Sequence, residues 1–202
     1  MTDRLVWRIA ALLLDYPSES TLQLRPQLRA AAIDIDAHGL VAFLDATAGI
    51  PPLELAARYV ETFDQRRRSC LHLTYYAYGD TRKRGMALLR FKHAFRAAGV
   101  TVGDEELPDF LPLVLEFAAT VDYQQGRRLL GEHVPVLELL RLSLRDSGSP
   151  YAHLLDAVCS TLPPVTTADR RKIAELAAAG PPEEEVGLEP FAMDPILTGG
   201  RR

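Results

Sequence analysis

Asp109-Phe-Leu-Pro-Leu-Val-Leu-Glu-Phe-Ala-Ala-Thr-Val-Asp122 is the stretch on which the reading of the fold turns. Phe110, Leu113, Val114, Phe117 and Val121 recur at intervals of three and four, the spacing of one helical face. Leu111, Leu115 and Ala118 extend the apolar surface round to the other side. A helix apolar nearly all round belongs at the centre of a bundle rather than on its surface. Asp109 stands where a helix N-cap is expected.

Working back from Asp109, residues 103–106 form an acidic connector. Asp80 is expected to cap a long helix that carries Leu88, Phe91, Phe95 and Ala98 and is closed by Gly99. Residues 66–79 read as a basic loop followed by a short apolar helix over 71–76. Pro51-Pro52 opens a helix with Ala56, Tyr59, Val60 and Phe63 on one face; proline suits a first turn, where its missing N–H has no intrahelical partner. A short helix lies between Gly39 and Gly49. Ser18 caps another, which Pro26 is expected to break or kink. Leu5, Val6, Ile9, Leu12 and Leu13 make an amphipathic first helix that Pro17 ends.

Working forward, residues 124–145 are helical with a break predicted at Pro135. Tyr151, Leu154, Leu155, Val158 and Leu162 make a clean stripe on the next helix. Thr166 and Asp169 sit at capping-box spacing on a last one running to Ala179. Beyond Gly180-Pro181-Pro182 the chain is rich in Glu, Pro and Gly, a composition expected to be flexible or loosely docked. No alternating β-branched run and no internal repeat is found. The expected architecture is therefore all-α: a single-domain helical bundle over residues 1–179, with a flexible tail over 180–202.

Bulk properties set limits on function. The 202 residues are 48% hydrophobic and 25% charged, which excludes wholesale disorder and allows a sizeable core. A net charge of -4 argues against nucleic acid as the main partner. Cys70 and Cys159 lie far apart and outside any CxxC or Cys/His cluster, so two reduced, mostly buried thiols are expected. The apolar run from Ile9 to Leu14 is too short for a membrane span or a secretory signal, and Asp15-Tyr16-Pro17 follows instead of a cleavage site. The expected location is the cytoplasm, without direct membrane insertion.

Catalytic chemistry is not legible. His38, His72, His93, His133 and His153 share no metal-ligand spacing, and no nucleophile signature occurs. The run from Gly79 to Gly85, GDTRKRG, lacks the GK[ST] ending and the preceding strand of a phosphate loop. No catalytic residue, metal or cofactor is predicted.

Charge is distributed more informatively. Residues 66–96 hold nine Arg and Lys against one acid, Asp80, with Tyr75, Tyr76 and Tyr78 between the basic clusters. That composition suits either a single-stranded nucleic acid or a face answered by acids elsewhere in the fold. Arg82, Lys83 and Arg84 fall in a first helical turn, where each cation costs roughly 0.3–1 kcal/mol against the macrodipole. The candidates to offset that cost are intramolecular carboxylates such as Asp64 and Asp80, or an acidic ligand; carboxylates are favoured, because the connector Asp104, Glu105, Glu106 and Asp109 shows acid to spare.

Two phrases carry a family resemblance. The first is Tyr59-Val-Glu-Thr-Phe-Asp64 leading into Leu71-His-Leu-Thr-Tyr-Tyr76 and Gly79-Asp-Thr-Arg-Lys-Arg-Gly-Met-Ala-Leu-Leu89. The second is Glu106-Leu-Pro-Asp-Phe-Leu-Pro-Leu-Val-Leu-Glu-Phe117. With Leu13-Leu-Asp-Tyr-Pro17 and Glu185-Val-Gly-Leu-Glu-Pro-Phe191, they closely resemble the NarJ-type assembly chaperones of respiratory nitrate reductase, within the wider TorD-like redox-enzyme maturation proteins. One departure stands out: the wider group's acid-x-Pro-Asp-His phrase ends here in Phe110, so a role for that histidine does not transfer.

The resemblance implies an all-helical chaperone with no catalysis and no cofactor of its own. It implies as partner the nitrate reductase catalytic (alpha) subunit, bound through its N-terminal peptide. The subunit would be kept competent for molybdenum cofactor and iron–sulfur insertion before membrane docking. An amphipathic client segment would lie in a groove between helices. Candidate contacts are Tyr59, Phe63, Asp64, Arg82, Arg84, Glu106, Leu107, Asp109, Leu113, Glu116 and Phe117. By spacing, Tyr59 and Phe63 also fit a core, and Asp109 a helix cap. The alternatives are a chaperone for another molybdoenzyme, such as an S- or N-oxide reductase, and a nucleic-acid-binding helical module.

Overall fold

The computed structural model describes residues 2–79, 81–103 and 106–180, and within them the chain folds as eleven α-helices. In order these are α1 (Thr2–Leu14), α2 (Glu19–Asp34), α3 (His38–Ala46), α4 (Pro52–Phe63), α5 (Tyr75–Tyr78), α6 (Arg82–Ala97), α7 (Leu111–Thr120), α8 (Tyr123–Glu132), α9 (Val134–Asp146), α10 (Ala152–Ser160) and α11 (Thr167–Ala179). A 3-10 turn, Arg67–Ser69, follows α4. Among the described residues the only extended pairing is a single antiparallel bridge between His72 and Phe110. The expected tail lies outside the described residues apart from Gly180, as do Asp80, Asp104 and Glu105.

Helix α7 is central, as its composition requires. Leu111, Val114, Leu115 and Ala118 are fully buried, and Phe117 and Ala119 nearly so. It packs lengthwise on α1 and against α8, whereas α10 is flanked by α1, α3 and α9, and α11 lies on α9. The α7–α8 contact is unusually close. A Cβ added at Gly126 would fall 2.3 Å from the Ala118 Cα, so glycine lets the two helices meet backbone to backbone. Gly39 plays the same part for α3 and α10, where an added Cβ would lie 2.4 Å from the His153 carbonyl oxygen.

Several local expectations change. Pro26 lies inside α2 without ending it. That helix buries only Ala32, so water can satisfy a carbonyl that loses its i+4 donor. The short apolar helix is confined to Tyr75–Tyr78, because Leu71 and Leu73 are drawn into backbone bonds with Asp109 and Leu111 (Leu73 N to Asp109 O, 3.0 Å; Leu111 N to Leu71 O, 2.9 Å). The break between α8 and α9 comes at His133, and Pro135 occupies the first turn of α9, where a proline costs no hydrogen bond. In α1 the stripe is rotated from the one expected. Trp7 is fully buried, stacked on Tyr123 and bonded through Nε1 to Thr161 Oγ1 at 2.7 Å, while Leu5 is 42% exposed. The capping box at Thr166 and Asp169 is present as expected.

Candidate functional site

Asp109 is not the cap of α7. Phe110 occupies that position without a side-chain cap bond, and the Asp109 side chain turns inward to complete burial. Its Oδ2 accepts from the Thr74 N–H at 3.0 Å and from the Thr74 hydroxyl at 2.5 Å. Its Oδ1 lies 3.2 Å from His72 Nδ1, which carries the proton when the carboxylate is charged. The guanidinium of Arg84 stands 3.6 Å from Oδ2, and its Nε donates to Thr74 Oγ1 at 3.2 Å. Burial opposes the charge, but the bonds from His72 and Thr74 outweigh it and hold the Asp109 carboxyl down at about 2.

This knot ties the 71–74 segment, the first turn of α6 and the entry to α7 into one unit. It also answers the dipole cost at the α6 start. Arg84 is buried against Asp109 and lies over the Tyr75 ring. Thr81 occupies the α6 cap position, with its hydroxyl donating to the Tyr78 carbonyl; the expected cap, Asp80, is outside the described residues. Part of the basic stretch is also paired within the molecule, at the surface: Arg66 with Glu61 at 2.8 Å, and Arg90 with Glu132. That distribution counts against a continuous nucleic-acid face.

Tyr59 and Phe63 are core residues, not groove residues. Both are buried in an aromatic cluster with Tyr151, where ring centroids lie 4.8–6.0 Å apart, and Tyr59 Oη donates to the Leu14 carbonyl. Phe117 is likewise buried, against Phe95. Asp64, at the end of α4, and Arg82 are exposed and do not line the cleft described next.

Three candidates do come together. Glu106, Leu113 and Glu116 line a cleft of about 260 Å³ between α1 and α7. Ala11, Leu12, Phe110 and Pro112 add apolar walls, and Arg8 and Asp15 add charge. Arg8 is ion-paired with Glu116 across the cleft. Leu107 is partly exposed next to Glu106. The α1 wall was not foreseen. Its signal was an excess of apolar residues in the first helix, of which Leu12 is left over once Trp7 turns to the core. Among the described residues, no group of three or more His, Cys, Asp or Glu side chains is placed to hold a metal ion. No described helix is long and apolar enough to cross a membrane.

Residues 20–157 match the family described as the nitrate reductase delta subunit. The chain belongs to that family.

The chain is 31% identical over 166 residues to the probable nitrate reductase molybdenum cofactor assembly chaperone NarJ of Bacillus subtilis, covering 80% of this chain and 90% of that protein. It is also 31% identical over 194 residues to NarJ of Escherichia coli K12, covering 93% of this chain and 80% of that one. The nitrate reductase-like protein NarX of Mycobacterium tuberculosis is 45% identical over 157 residues, 77% of this chain. The chain spans about a quarter of that longer relative, 24% of its length. In three dimensions the delta-subunit fold is shared with a putative redox enzyme maturation protein from Archaeoglobus fulgidus. The TM-score is 0.60 at 19% identity, over 78% of this chain and 92% of the other. The all-helical bundle implied by the two sequence phrases is the bundle found.

Proposed function

We propose that this protein is an assembly chaperone for a nitrate reductase. In this reading it binds the N-terminal segment of the catalytic subunit in the α1–α7 cleft, and keeps the subunit competent for molybdenum cofactor and iron–sulfur insertion before membrane docking. The observation that carries the reading is the cleft's make-up: Ala11, Leu12, Phe110 and Leu113 form an apolar floor, with Asp15 and Glu106 at the polar positions beside the Arg8–Glu116 ion pair. An amphipathic helix with basic residues beside its apolar face matches that pattern, and ordering the segment on binding favours a releasable complex. The relatives that are matched over most of their own length carry the name of assembly chaperones, which supports a role without catalysis. The location that goes with this role is the cytoplasm.

Calorimetric titration of the full chain with a peptide copying the catalytic subunit's N-terminus tests the reading. Binding is expected, and Glu106→Arg, at an exposed position of the same cleft, should weaken it several-fold while the unfolding midpoint stays close to wild type. Silence with that peptide, together with heat from the leader of an S- or N-oxide reductase, would reassign the client.

A further inference from the structure

Helix α6 carries six arginines and lysines and no acid in its 16 residues. It buries only Arg84, Phe91, Ala94 and Phe95, so most of its circumference faces water. Arg82, Met86, Leu89, His93 and Arg96 follow one another at intervals of four, three, four and three, which places them on one face. All five are exposed, Met86 to 72% and Leu89 to 41%. Lys83 and Arg90 border this stripe on one side and Lys92 on the other. Among the described residues, Arg82, Lys83, Lys92 and Arg96 form no ion pair.

On the Arg90 side the stripe opens into a cleft of about 320 Å³ between α6 and α8. Arg90, His93, Gln125 and Arg128 line it with groups that can donate hydrogen bonds. Arg90 and Arg128 both pair with Glu132, so two cations share one negative charge. The face thus combines surplus positive charge, a donor-lined cleft for an anionic group, and two apolar side chains standing in water. A single-stranded nucleic acid would meet no aromatic platform here, because Phe91 and Phe95 are buried in the core. Apolar side chains set between cations on one helix are instead the pattern of a membrane interface.

We propose that the α6–α8 face docks on a bilayer surface containing anionic phospholipid. A lipid phosphate enters the cleft at Arg90, His93 and Arg128. Met86 and Leu89 reach the acyl boundary, and Arg82, Lys83, Lys92 and Arg96 lie over neighbouring headgroups. The contact is peripheral, spans nothing and weakens with salt. It stands apart from the client reading, because the client cleft is built by α1 and α7.

The test is flotation of the full chain with vesicles of phosphatidylglycerol and phosphatidylcholine in equal parts, against vesicles of phosphatidylcholine alone. Binding to the first and not to the second is expected, and it should be lost at about 1 M salt, where the screening length is near 3 Å. A basic residue close to an anionic surface is worth about fivefold in partitioning, so Lys92→Glu with Arg96→Glu should lower binding by at least about 25-fold. Met86→Glu should lower it several-fold. The unfolding midpoint and the client-peptide titration should be unchanged in both variants, so the two readings fail separately. Equal binding to the two kinds of vesicle, no binding to either, or unchanged binding in either variant would each overturn the proposal. Retention on immobilised polyglutamate without vesicle binding would also overturn it, and would give the face to an acidic protein.

Discussion

Two threonine–aspartate pairs in this molecule use the same atoms for different ends. At the start of α11, Asp169 Oδ2 accepts from the Thr166 N–H at 2.8 Å and from its hydroxyl at 2.7 Å. In the interior, Asp109 Oδ2 accepts from the Thr74 N–H at 3.0 Å and from its hydroxyl at 2.5 Å. The first pair is three residues apart and lies in water. The second is 35 residues apart and has no access to it. One geometry thus serves once to begin a helix and once to fasten three segments together, and solvent decides how much each is worth. An exposed pair can exchange its bonds for water at little cost. Removing the buried carboxylate leaves the Thr74 N–H inside the protein without its acceptor.

The largest expected effect comes from that difference. Asp109→Ala should lower stability by about 3–5 kcal/mol, the range for breaking a buried charged network, read from urea unfolding. A loss no larger than about 1 kcal/mol, typical of a helix cap, would erase the distinction between the two pairs. Gly126→Ala provides an apolar yardstick. Its Cβ would fall 2.2 Å from that of Ala118, and a loss near the upper end of overpacking, about 3 kcal/mol, is expected. If that variant costs more than Asp109→Ala, close backbone packing rather than the polar knot dominates around α7.

Acid sharpens the comparison further. The Asp109 carboxyl is held at about 2 in the folded protein against an ordinary 3.8. Its contribution is therefore present above pH 4 and is lost as the pH falls towards 2. The size is on the order of 2 kcal/mol. Stability measured across that window should drop in the wild type by this amount more than in Asp109→Ala; parallel curves would remove the charge from the account. The smallest effect belongs to Thr166→Ala. It should lower hydrogen-exchange protection at the α11 amides while leaving the global unfolding midpoint nearly unchanged. A cooperative loss over the whole domain would show α11 to be more deeply coupled than its exposed cap suggests.

The same pairs explain what was legible in the sequence. Thr166 and Asp169 are an i, i+3 pattern, so spacing alone identifies the capping box. The apolar periods of α4, α6, α7 and α10 are local too, and the central position of α7 comes from its composition. Asp109 satisfies the local rule for a cap equally well, and nothing within a few residues of it distinguishes a cap from a buried acceptor. Its partners, His72, Thr74 and Arg84, are set by the bridge between 72 and 110, which is a tertiary fact. The candidate cleft was half visible for the same reason: Glu106, Leu113 and Glu116 lie on the recognised phrase, whereas Arg8, Leu12 and Asp15 come from about a hundred residues earlier.

The distance along the chain between Thr74 and its carboxylate also governs how the protein is made. Closing a loop of that length costs roughly 3 kcal/mol in chain entropy, and the bonds that repay it do not exist until Asp109 is in place. During synthesis His72, Thr74 and Arg84 are all added to the chain before the acid that fastens them. Until Asp109 is in place, the segment between Leu71 and the start of α6 lacks the acceptor that holds it to the entry of α7.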